Sequence, residues 1–171
     1  MMRPIRAACL GTATALVTLL ACAPVSGAAT DTVSPHAGGK ARTLTFLAEL
    51  QQLTRFPVTP GTVSQGDRVV VRSVLKDQDG DVVGETNGTC TTTRGGDPAV
   101  VEEAEQCITT YTLPAGQLTV QGMYYDYIAQ GPFDNAITGG TGAYDKARGS
   151  VHSDTIATTP TLVRRFTIHL V

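Results

Sequence analysis

The chain has no cluster of basic residues, no Cys-x-x-Cys pair, no internal repeat and no apolar run long enough to span a bilayer comfortably. Each gap removes a class of function. Thirteen Lys and Arg against fifteen Asp and Glu give a formal net charge of −2, and without a cationic patch nucleic acid is not an expected partner. His36, His152 and His169 are scattered, and no cysteine pair stands at ligand spacing, so no metal site is foreseen. No serine, histidine and carboxylate fall into a nucleophilic arrangement. His152 and His169 sit on strand-like segments, where a solvent-facing or core histidine is the ordinary reading.

What the amino terminus does contain is Arg3 and Arg6 followed by the apolar run from Ala7 to Ala21, the pattern of an export signal. Two cleavage patterns coexist. Small residues at Ser26 and Ala28 suit an ordinary signal peptidase, whereas Leu19-Leu20-Ala21-Cys22 has the form of a bacterial lipobox that would lipidate Cys22. The expected location is extracytoplasmic, secreted or held by a lipid anchor, which is the one membrane contact foreseen. Removing residues 1–28 leaves 143, enough for one self-supporting domain with a charge of about −4. Residues 29–42, polar and rich in breakers, read as a flexible tether, and residues 43–171 as a single domain.

That domain is a succession of short segments rich in Val, Thr, Ile and Tyr, punctuated by Gly, Asp and Pro. In "DRVVVRSVLK", Val69, Val71, Ser73 and Leu75 share one face and Val70, Arg72, Val74 and Lys76 the other. Leu47 to Leu53 is open to either a strand or a helical-turn reading. About eight strands in simple order with hardly any helix predict an up-and-down barrel or a sandwich, and closure is favoured because it removes exposed edges. Cys90 and Cys107 are the cysteines left after the leader is removed. A polar, Gly- and Pro-containing connection separates them, so in an oxidising compartment they are expected to bond across neighbouring strands.

"DQDGD", Asp77 to Asp81, looks like a calcium loop, but the twelfth position counted from Asp77 is Gly88 rather than glutamate, and strands flank it. It reads as a hairpin turn. "AITGGTGAYDKARGSV" resembles a phosphate loop only in its glycines: no Lys-Ser or Lys-Thr follows, Asp145 stands where a third glycine would, and the next segment alternates like a strand. Its glycines are expected at a corner of the sheet. Arg164 and Arg165 must point to opposite faces of their strand, and an inward arginine would need an acidic partner or an anionic ligand. In "MYYDY", Tyr125 and Tyr127 project one way and Tyr124 the other. Tyrosines in a pocket suit a mostly hydrocarbon ligand carrying one or two oxygens.

"GQLTVQGMYYDY" followed by "AITGGTGAYDKARGSV", with "GDRVVV" and "GTCTTT" upstream, resembles the central signature of the allene oxide cyclase and dirigent protein superfamily. The resemblance spans Gly66 to Val151 and extends more loosely to the carboxyl end. It implies an all-β, eight-stranded antiparallel up-and-down barrel, often trimeric, with an apolar pocket and no metal or organic cofactor. It also implies either an isomerase or cyclase controlling ring closure, or a non-catalytic binder of a lipid or phenolic compound. By the same resemblance Glu49 and Tyr127 are the candidate catalytic residues and Ser73 and Tyr124 candidate ligand-binding ones, a set that Asn87 and Tyr125 complete. Cys90 then has a second reading, as a pocket thiol. The implied partner is an apolar small molecule.

Overall fold

The computed structural model describes residues 41–95, 103–125 and 131–171. Eight strands follow one another round a closed barrel: β1 (Arg42–Phe56), β2 (Arg68–Lys76), β3 (Val82–Arg94), β4 (Ala104–Leu113), β5 (Gly116–Tyr125), β6 (Phe133–Gly140), β7 (Gly149–Ala157) and β8 (Val163–Leu170). Every neighbouring pair is antiparallel, and β8 pairs back onto β1, so the sheet has no open edge. The expected barrel is the fold. Leu47 to Leu53 lies wholly within β1, where pairing on both sides overrides any helical tendency. Cys22, Tyr127, the leader and most of the tether lie outside the described residues.

Two-residue alternation decides which side chains face the barrel interior. On β2, Val69, Ser73 and Leu75 are buried while Val70 is exposed, as the pattern predicts. On β1 the inward set changes parity. Ala48 is buried opposite Leu75 and Leu50 stands opposite Ser73, but a bulge between Leu50 and Gln52 then aligns Leu53 with Val71 and Arg55 with Val69. One extra residue thus turns the inner face from even to odd numbers.

The interior is filled unevenly. Toward the β2–β3 and β4–β5 hairpins, Leu75, Tyr111, Leu113, Leu118, Val120, Ile137, Val151 and Ile168 pack into one apolar cluster. Tyr144, carried by a 3-10 turn at Gly142–Tyr144, closes it from below. The glycine stretch therefore turns a corner and seals one end of the barrel. Gly142 needs a φ of 61°, and a side chain at Gly140 would run into the backbone oxygens of Gln117 and Tyr144. "DQDGD" is a tight turn: the Asp77 carboxylate accepts the backbone N–H groups of Asp79 and Asp81, and Gly80 sits at φ 89°.

Candidate functional site in the barrel lumen

The opposite half of the barrel is hollow. Its walls come from the carboxyl ends of β1, β3 and β5 and the amino ends of β2, β4, β6 and β8, which antiparallel order brings to the same rim. The cavity holds about 170 Å³ and is lined by apolar Leu53, Val69, Val71 and Leu162 and by the rings of Tyr111, Tyr124, Phe133 and Phe166. Polar groups are few and set among them: Arg55, Ser73, Thr86, Thr109, Glu105, Asn135 and Arg164. A larger concavity of about 870 Å³ crosses the outer face of β1 to β4, past Gln52, Val70, Arg72 and Asn87. It is an open surface groove without a buried charged group, so the lumen is the site with chemistry.

The residues singled out in the sequence divide between the two faces. Ser73 and Tyr124 line the lumen, as does the bonded pair Cys90–Cys107, whose residues stand directly opposite on β3 and β4. The disulfide expectation holds, and Cys90 is no free pocket thiol. Glu49, expected in the pocket, faces outward. It lies before the β1 bulge at an odd number, where the inner face is even, and its carboxylate takes a 2.6 Å ion pair from Lys76. That hydrogen bond and the Lys76 charge hold its pKa below the usual carboxylate value. Asn87 is likewise on the outside, opposite Arg72, donating to Glu85 at 3.0 Å. Tyr125 is half exposed on the outer face with the Arg94 guanidinium 5.9 Å from its ring centre. His152 also faces outward, between Asp134 and Asp154, and both aspartates raise its pKa.

Three lumenal groups were not singled out from the sequence as site residues. Arg164 is the inward member of the arginine pair, 8% exposed. Its Nε donates to Ser153 Oγ at 2.7 Å, Nη1 to the Tyr124 hydroxyl at 3.3 Å and Nη2 to the Gly131 carbonyl at 2.7 Å. Its plane lies 4.6 Å from the Phe133 ring centre. Phe166 and Ile168, buried at the next two like positions, mark that face as interior, which is the signal alternation offered. Asn135 is buried against Gly122, whose missing side chain makes room for it, and its Oδ1 has no hydrogen-bond partner among the described residues.

Glu105 is 4% exposed and belongs to the same inward row as Cys107 and Tyr111. Burial raises its pKa; the Arg55 charge opposes this, while Glu103 and Asp67 add to it. Burial likewise pushes the Tyr111 hydroxyl far up, so it stays neutral. The sign of the linkage follows for Glu105. A native pKa above the unfolded one means the native state holds the proton longer, so stability is lost as pH rises from the unfolded value through the raised one. Glu105→Gln is expected to flatten the pH dependence of stability over that window and to exceed the wild type above neutral pH. Urea midpoints measured across buffers from mildly acidic to mildly alkaline check this, and an unchanged slope refutes it.

The barrel is closed, with one end sealed and a mostly apolar, polar-studded lumen at the other. Residues 45–170 match the family described as allene oxide cyclase barrel like domain, and the chain belongs to that family. No curated protein matches it. Among solved structures, it is similar to a pyocyanin demethylase at 25% identity and a TM-score of 0.66, over 76% of this chain and 100% of that one. It is similar in fold to a pterocarpan synthase dirigent protein (18% identity, TM-score 0.62, 77% of this chain and 89% of that one). An exo-specific intermolecular Diels-Alderase shares the fold too, at 14% identity and a TM-score of 0.60, over 77% of this chain and 99% of that one.

Proposed function

We propose that this chain is an exported barrel that takes a small, mostly apolar molecule into its lumen and controls ring closure or isomerisation there. The observation that carries the reading is the half-filled interior: one end packed solid, the other a cavity walled by aliphatic and aromatic side chains with a handful of aimed polar atoms. The names of the similar structures, a pyocyanin demethylase, a pterocarpan synthase and a Diels-Alderase, support small-molecule chemistry on such a scaffold. Confinement supplies the catalysis. A flexible substrate held in one folded shape away from water has lost much of the entropy that opposes ring closure. Glu105, whose pKa burial raises, is the lumenal carboxyl placed to hand a proton to a substrate oxygen, a role that Glu49 cannot serve from outside.

The second reading is a non-catalytic carrier of the same kind of molecule, favoured by the outward position of Glu49. Mass spectrometry of small molecules released from the native protein tests lumenal binding, with a ring-bearing apolar compound the expected result. Nothing released, together with no saturable uptake of toluene by calorimetry, removes both readings. Once a substrate is known, loss of turnover in Glu105→Gln with retained binding supports the enzyme, and full turnover overturns Glu105's role.

A further inference from the structure

Among the described residues the Arg164 guanidinium has no carboxylate partner. It is more than nine-tenths buried and lines the lumen, yet among the described residues all of its hydrogen-bond acceptors are neutral: a serine hydroxyl, a phenol and a peptide carbonyl. The ion pairs of Arg72, Lys76 and Arg165 lie on the outer face, and Arg55, the second cation at the lumen, acts on the carboxyls of Glu105 and Asp67. Leaving an unpaired charge in an apolar site forfeits its hydration with nothing in return. A protein tolerates that cost where a ligand supplies the missing charge.

We propose that the ligand is an organic anion: a compact ring-bearing carboxylate whose head sits on Arg164. This rests on the lumenal binding reading above and names its substrate class. A guanidinium has five N–H groups in a rigid fork. Three are engaged by Ser153, Tyr124 and Gly131, which leaves one on each terminal nitrogen, the pair a planar carboxylate takes together. Phe133 against the guanidinium, with Tyr124 beside it at 4.7 Å between ring centres, fixes the fork in place. The ring of the ligand then lies along the aromatic wall toward Phe166. The volume agrees, since about 170 Å³ is close to the roughly 150 Å³ known to admit one benzene ring. The unpartnered Oδ1 of Asn135 in the same lumen accepts from a hydroxyl on that ring.

Calorimetric titration of the purified chain with toluene, benzamide and benzoate separates the two layers of the argument. Benzoate is expected to bind about tenfold more tightly than the isosteric neutral benzamide, the value of one charge-assisted contact. In Arg164→Gln that preference is expected to vanish while toluene still binds. Where glutamine prevents folding, Arg164→Lys keeps the buried charge but not the fork, and its preference should fall several-fold. Toluene binding with benzamide equal to benzoate overturns the anion and leaves the lumen reading intact. A benzoate preference that survives either substitution overturns the role of Arg164. Binding of none of the three overturns the lumenal reading itself.

Discussion

A chain with serine at both Cys90 and Cys107 is expected to lose about 3 kcal/mol of stability, the loop-closure value for a link of this span. The two cysteines face each other on adjacent strands and are 17 residues apart, so in the folded barrel β3 and β4 already hold them together. The bond acts chiefly on the unfolded chain, which it keeps from exploring the open loop. Urea unfolding should show a lower midpoint for the double variant, and reduction of the wild type by dithiothreitol should bring it to the same value. The variant itself should ignore the reductant. Midpoints that coincide with and without reductant in the wild type would sink this account.

Tyr111→Ala is expected to cost about 3–5 kcal/mol, the range for removing a buried ring, and to deepen the lumen. Tyr111 is 1% exposed and belongs both to the apolar cluster and to the cavity lining, so it is the partition between them. Its ring meets Phe166 edge to face with centres 5.3 Å apart. Taking it away joins a void to the existing cup, and the variant should bind naphthalene where the wild type takes single rings. Tyr111→Phe keeps the partition and should leave both properties nearly unchanged. Thermal unfolding and calorimetry read the two effects separately, and equal uptake of naphthalene by the wild type and the alanine variant would show that Tyr111 does not bound the site.

The barrel was legible because its signals are local and repeated. Val69, Val71, Ser73 and Leu75 announce an inward row by alternation alone, and the cysteine spacing announces a hairpin pair. Glu49 was misplaced because a bulge obeys no alternation: the extra residue near Gln51 is written nowhere in the pattern of "LTFLAELQQL", and a change of parity reverses the face. Asn87 and Tyr125, also expected at the ligand, are both turned outward by the parity of β3 and β5. Arg164 and Glu105 could have been found. Each stands two residues from a buried apolar neighbour on its own face, but a charged side chain invites a solvent reading until its row is traced to the end. No local signal distinguishes an inward charge that is compensated within the fold from one that is not, because that depends on partners from strands far apart in the chain.

The sealed end also governs orientation. β1 begins at Arg42 paired with Leu170, and the Val171 N–H reaches the Arg148 carbonyl, so both ends of the described barrel leave from the side closed by the glycine turn. The mouth of the cavity lies at the opposite rim, where β1 ends and β2 begins.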